Sequence, residues 1–269
     1  MSELIVIFES IKWLYVVSGF AVGFLVGLTG VGGGSLMTPI LVLVFGVSPV
    51  TAVGTDLLYA CVTKSGGSVV HALHKTIDWR IVTRLATGSV PSALLTLAVL
   101  AYLNVDSEAA KKLVTLALGP ALLLTALALI FRKPLMRFYA DRVDEADPVL
   151  TRRVTIAMGA VLGCLVTLSS VGAGALGVTF LIMLYPKLPV ARIVGSDIAH
   201  AVPLTLVSGL GHMMIGTVDL SMLGSLLLGS LPGILIASNL APRWPENVLR
   251  YLLAAVLVLV SARLMWPRH

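Results

Sequence analysis

The chain has 269 residues, of which 58% are hydrophobic and 12% charged, and its mean hydropathy is +1.00. Soluble domains carry roughly 25% charged residues, so this composition excludes an ordinary water-soluble domain and points to an all-α polytopic membrane protein. The net charge of +6 does not imply a nucleic-acid partner, because Lys and Arg sit mainly in short loops beside apolar spans, the pattern that orients membrane helices.

The first apolar stretch, 13–45, begins as a helical segment over 13–28 and meets Gly30-Val31-Gly32-Gly33-Gly34. Such a glycine run breaks a helix, and the remainder, 35–45, is too short to cross a bilayer alone. The stretch has no small-residue cleavage site and is read as part of the mature protein. Spans close to or above the ~20 residues of a membrane helix follow at 51–73, 81–103 and 112–131. A polar connection then holds Arg132, Lys133, Arg137, Arg142, Arg152 and Arg153 beside Asp141, Asp144, Glu145 and Asp147. Its basic excess predicts a cytoplasmic linker, 132–153, between a first transmembrane repeat, 1–131, and a second, 154–269. The second half starts with another broken stretch: a helix to Leu168, a break over 169–174 and a short helix to about Tyr185. Spans at 191–211, 221–240 and 247–266 complete the chain. Cys61 and Cys164 fall in apolar segments without disulfide or metal spacing and are read as buried thiols.

The two halves repeat each other. Gly23 to Gly34 returns as Gly163 to Gly174 at an offset of 140, and at an offset of 141 Gly54 pairs with Gly195, Asp56 with Asp197, His71 with His212, Asp78 with Asp219 and Pro91 with Pro232. An internal duplication that carries intramembrane ionisable groups is the pattern of a secondary transporter with its site between repeats. If each broken pair turns back on itself, three further crossings per half make the repeats inverted; if each pair crosses once, they are parallel. Basic residues divide thirteen against five in the first case and twelve against six in the second, which separates little. The connection 74–84 has three basic residues whereas its mate 213–222 has none, and this leans toward inversion.

A helix that starts at mid-membrane points unpaired N–H groups and the positive end of its dipole inward, which makes an anion site. Gly32, Gly33, Gly34 and Ser35 would supply one, Gly172, Ala173 and Gly174 the other, with hydroxyls from Thr29, Ser169 and Ser170. The alternative is that these small residues only allow close helix packing. Asp56 and Asp197, preceded by Thr55 and Ser196, lie within apolar spans, where a carboxylate costs several kcal/mol unless neutralised or hydrated. Proton coupling is one reading, with the hydroxyls beside them contacting substrate; capping of a neighbouring helix is the other. His71 and His212 lie fifteen residues beyond the acids, about four helical turns, and either relay protons or hold a loop carbonyl. Lys64, two turns after Asp56, and His200 have neutral or aromatic mates, Thr205 and Tyr59, so any role they play in binding substrate belongs to one half alone. No cofactor and no metal site is read.

The run Gly30 to Pro39, then Ala52-Val53-Gly54-Thr55-Asp56-Leu57-Leu58-Tyr59-Ala60, Thr63-Lys64, Val70-His71 and Val194-Gly195-Ser196-Asp197, resembles the TauE/SafE family of bacterial inner-membrane proteins. The resemblance covers nearly the whole chain. It implies transport of small sulfur-containing anions such as sulfite, sulfonates or sulfoacetate, commonly outward, with a homo-oligomer left open. Ser170 and Ala173 depart from the glycines of the first run, which makes the two arms unequal. An intramembrane enzyme using Asp and His acid-base chemistry is the rival class, without a His-x-x-x-His or Gly-x-Ser-x-Gly signature to carry it. A membrane scaffold would not need buried carboxylates.

Overall fold

The structure, a computed structural model, describes residues 12–29, 34–105, 107–140, 147–240 and 246–265, with side chains omitted at 29, 34, 35, 133, 135–140, 238–240, 246–250, 252 and 265. Among the described residues the chain is all helical, with ten helices and no strand. They are α1 (Trp13–Thr29), α2 (Gly34–Leu43), α3 (Pro49–Leu73), α4 (Trp79–Leu103), α5 (Glu108–Ala140), α6 (Pro148–Ser169), α7 (Ala175–Leu184), α8 (Val190–Met214), α9 (Leu220–Leu240) and α10 (Glu246–Met265). Five of them, α4, α5, α6, α8 and α9, contain stretches long and apolar enough to cross a membrane. Leu95, Leu116, Val161 and Leu259 are 69%, 62%, 65% and 72% exposed, an outward face suited to lipid and not to water. The protein is therefore a multi-pass membrane protein.

Local chemistry sets the helix ends. Ser48 caps α3 by accepting from Thr51 N at 3.2 Å, with Pro49 in the first turn. Asp78 caps α4 by accepting from Arg80 N at 3.0 Å, and Asp147 caps α6 through Val149 N at 3.2 Å. At the far end of α6, Ser170 takes a left-handed conformation with φ 56° and stops the helix. Gly172 and Gly174 follow with φ of 123° and 121°, values that L side chains rarely adopt, and α7 begins.

The polar connection differs from the sequence expectation, because the described parts of 132–153 are mostly helical. α5 continues to Ala140 and α6 already starts at Pro148. A helix of 33 residues spans about 50 Å, well over the ~30 Å hydrocarbon core, so its basic end stands in the polar region. A second difference concerns the cysteines. Cys61 is buried, with its thiol 3.8 Å from the Val202 carbonyl, but Cys164 is exposed on the outward face of α6.

Three close crossings organise the bundle. Gly19, Gly23 and Gly27 of α1 lie directly against Leu226, Ser230 and Ile234 of α9, so these helices run parallel. α4 and α6 also run parallel, with Gly88 on Ile156, Gly159 on Leu85 and Gly163 on Ser89. In both crossings a side chain at the glycine would strike the partner's backbone, which is how membrane helices approach most closely. α3 and α8 instead run antiparallel. Gly54 meets Thr217, Leu58 meets Gly209, Gly67 meets Ile198 and Gly195 meets His71. One apolar core surrounds α2 through Met37 and Leu41, and another surrounds α7 through Val178, Leu181 and Ile182.

The two broken pairs have matching contacts at their outer ends. Tyr15, near the start of α1, and Phe45, just after α2, place their ring centroids 4.6 Å apart. Thr155, near the start of α6, and Tyr185, just after α7, share a 2.8 Å hydrogen bond. Arg84 donates to the same Tyr185 oxygen at 3.2 Å, and Asp78 N donates to Ser196 Oγ at 2.8 Å. These bonds collect Lys75, Arg80, Arg84, Arg152, Lys187 and Arg192 at one end of the bundle. At the other end Lys12 N donates to Ser225 Oγ at 3.3 Å and Asp219 N to Thr55 Oγ1 at 3.1 Å.

Gly88→Leu or Gly163→Leu is expected to push α4 and α6 apart and to destabilise the purified protein by about 1–3 kcal/mol or more. Thermal unfolding in detergent measures this. Gly224→Leu, where a side chain meets open space, is expected to leave the transition unchanged.

Candidate functional site

The centre of the bundle forms where the middles of α3 and α8 cross and the break between α6 and α7 enters beside them. Asp56 and Asp197 are both fully buried, and Lys64 is 5% exposed. Lys64 is the one buried Lys or Arg among the described residues. Its ammonium donates to the Ala173 carbonyl at 2.9 Å, inside the break, and lies within electrostatic reach of both Asp197 and Asp56. The cation from one half thus sits among an acid of its own half, an acid of the other half and the other half's broken backbone. Arg132 on α5 adds a more distant positive field at Asp197.

The acids are held differently. Asp56 Oδ2 accepts from the backbone N of Thr38 at 3.1 Å and from Thr38 Oγ1 at 2.5 Å, which ties it to the first half of α2. The Ser170 hydroxyl lies beside this carboxylate, yet neither Ser170 Oγ nor Asp56 Oδ1 completes a hydrogen bond. Asp197 packs on α7, where Gly177 is small enough to admit its Oδ1 and the Gly174 amide faces it. Neither oxygen of Asp197 has a hydrogen-bond partner. The first helical bonds around α7 are Gly177 N to Gly172 O and Val178 N to Gly174 O, both 3.2 Å. The amides of Ala175 and Leu176 are therefore among those a helix start leaves free.

His200 is fully buried, with Nε2 2.8 Å from Ser89 Oγ and no partner for Nδ1. Its mate Tyr59 is equally buried and lies beside Ser230, the mate of Ser89. Buried polar atoms are nearly always satisfied in native proteins, so unsatisfied ones at a single centre call for a reason. Asp56 Oδ1, both Asp197 oxygens, Ser170 Oγ and His200 Nδ1 are such atoms here.

Other residues singled out in the sequence lie elsewhere. Thr55 and Ser196 stand at opposite ends, where each accepts from the backbone N of the other half's capping aspartate. His212 is buried; its Nε2 is 3.0 Å from the Thr167 carbonyl, which requires the proton on that nitrogen, and its Nδ1 is 2.8 Å from Thr217 Oγ1. His71 repeats the second contact with Thr76 Oγ1 at 2.8 Å and is only partly buried. Ser169 turns its hydroxyl to the Leu165 carbonyl at 2.6 Å. Gly32 and Gly33 lie outside the described residues, as do the side chains of Thr29 and Ser35 and the surroundings of Gly34. Thr38, Ser89 and Ser230 were not singled out by the sequence reading. The 141-residue offset, which pairs Ser89 with Ser230 just ahead of Pro91 and Pro232, could have found two of them.

The family model described as "Sulfite exporter TauE/SafE" matches residues 15–264. The probable membrane transporter protein YjnA of Bacillus subtilis (strain 168) is 39% identical over 251 residues, covering 93% of this chain and 98% of that protein. A probable membrane transporter protein of Methanocaldococcus jannaschii is 29% identical over 209 residues, covering 73% and 70%. A third, YdhB of Bacillus subtilis (strain 168), is 26% identical over 236 residues, covering 86% and 91%. No solved structure matches. The chain belongs to the TauE/SafE family, which makes it a membrane transporter rather than an enzyme.

Lys64→Met leaves two buried carboxylates without their cation. It is expected to destabilise the protein by about 3–5 kcal/mol, read as a lowered unfolding temperature in detergent. Lys64→Met combined with Asp197→Asn is expected to recover part of that loss, because it removes one of the stranded acids; additive losses would show that the two groups do not interact.

Proposed function

We propose that this TauE/SafE member is a secondary transporter that carries small sulfur-containing anions of the sulfite, sulfonate or sulfoacetate type out across the bacterial inner membrane, coupled to protons. The observation that carries the reading is the Lys64 ammonium, buried at the break between α6 and α7 and within reach of an aspartate from each half. A substrate anion placed there meets one cation, the free amides at the start of α7 and the Ser170 hydroxyl. It also meets two acids, which repel it unless one is protonated.

This electrostatic conflict provides the coupling. Two carboxylates and one ammonium leave a deficit of one positive charge. A monoanion deepens the deficit, and in a site closed to water that cost is large. Protonation of Asp56 or Asp197 offsets it, so anion and proton enter together. One proton with one monoanion moves no net charge, so direction follows the two concentration gradients, and an anion produced by metabolism leaves the cell.

Two inverted repeats provide the two conformations. The antiparallel crossing of α3 and α8 supports inversion, since a two-fold axis along the membrane normal would make these mates parallel. The contacts Tyr15 with Phe45 and Thr155 with Tyr185 support two re-entrant hairpins, α1–α2 and α6–α7, entering from opposite faces. Three crossings follow each hairpin. The end that gathers Lys75, Arg80, Arg84, Arg152, Lys187 and Arg192 is then cytoplasmic. The central groups are buried, and transport alternates access by movement of one repeat against the other around Lys64.

In liposomes the purified protein is expected to move labelled sulfite or a small sulfonate down an imposed gradient, at a rate that depends on the pH difference. Asp56→Asn and Asp197→Asn are expected to abolish that dependence; an unchanged pH response in both variants removes the coupling. Cysteines introduced over 213–222 are expected to react with an impermeant thiol reagent from the periplasmic side, and labelling from the cytoplasm defeats inversion.

A further inference from the structure

Three arginines far from the transport centre converge on one groove. Arg80 and Arg84 of α4 and Arg152 of α6 line it together with Thr83, Thr87 and Ile156, around a volume of about 320 Å³. Among the described residues no acid lines it, and the one ion pair among them, Lys111 with Glu108, is at the opposite end of the bundle. Asp78 and Asp147, at the starts of the same two helices, are engaged as helix caps. Arg84 is fixed in place by Tyr185, which Thr155 holds in turn. Three like charges gathered in one groove repel one another, and an anion seated among them relieves that repulsion.

The position of the groove identifies the anion. It opens on the outward face of the α4–α6 pair, level with exposed Trp79, an aromatic suited to the headgroup region. Along α4 the same stripe continues by whole turns from Thr87 to Pro91, Leu94 and Leu95, all exposed. A polar head in the groove would therefore have apolar surface running below it into the hydrocarbon layer. Inward passage is blocked, because Gly88 lies against the Ile156 carbonyl and Gly159 against Leu85, so the helix backbones touch at the floor. A free substrate entering here would reach a dead end.

We infer that this groove binds the phosphate headgroup of an anionic membrane phospholipid, with its acyl chains lying along α4. Arg84 is the organising donor, and Arg80 and Arg152 close on the phosphate from the two helices. The site does not depend on what the Lys64 centre transports.

Native mass spectrometry of the full chain released from mild detergent, with phosphatidylglycerol and phosphatidylcholine supplied in equal amounts, tests this. The wild type is expected to retain phosphatidylglycerol selectively. Arg152→Gln, at an exposed position, is expected to weaken retention about fivefold, and Arg80→Gln/Arg84→Gln/Arg152→Gln on the order of a hundredfold. Lys111→Gln/Lys112→Gln, in the basic groove at the other end, is expected to change nothing. Should the triple variant misfold, Arg152→Gln alone decides. Equal retention of both lipids, or unchanged retention in Arg152→Gln, overturns the proposal. So does saturable binding of inorganic phosphate to protein stripped of lipid with no preference for phosphatidylglycerol, since that outcome marks a free-anion site.

Discussion

A charge placed among apolar helices must be answered within the protein, because neither lipid nor water is there to solvate it. Lys64 provides that answer for two acids at once. Its ammonium is anchored to the Ala173 carbonyl and acts on Asp56 and Asp197 from between the halves. The carbonyl is available because the chain between α6 and α7 leaves helical geometry, and it does so at Ser170, Gly172 and Gly174, where φ is positive. The glycine-rich break, the Lys64 cation and the two acids thus form one electrostatic arrangement. Each part would be costly without the others.

The surrounding packing keeps that arrangement in place. Backbone contact between α1 and α9 and between α4 and α6 makes two stiff parallel pairs. The antiparallel crossing of α3 and α8 sets Asp56 between the Gly54–His212 and Leu58–Gly209 contacts and Asp197 between the Gly67–Ile198 and His71–Gly195 contacts, with Lys64 between the two acids. Thr55 and Ser196, each next to one of these acids, reach across to bond the loop before α9 and α4 respectively. A movement of one half against the other has to work against these ties, and the acids stand immediately beside them.

Much of the fold was legible in the sequence because glycine, proline and aspartate signal backbone events locally. The break after Ser169 falls within a residue of the end expected from the second glycine run. The pairing of Asp56 with Asp197 and of His71 with His212 was readable from register alone. What register cannot give is the partner across the bundle. Lys64 could be placed on the face of Asp56 by spacing, but its bond to Ala173, 109 residues away, depends on how the halves dock. The same holds for Thr38 as the holder of Asp56 and for Ser89 against His200. Thr55 and Ser196 stand beside the acids in sequence, yet turn toward loops, because neighbouring helix positions are separated by about 100°. Cys164 was misread as buried, since an apolar segment in a membrane protein can face lipid as well as core.

The central claim is that substrate anion and proton share the Lys64 centre and travel together. The most direct measurement is the flux ratio of protons to methanesulfonate, a permanent monoanion, in proteoliposomes with the membrane potential held at zero. The account predicts about one proton per anion in the same direction, with the proton flux stopping when the anion is left out. Anion movement without accompanying protons would contradict it.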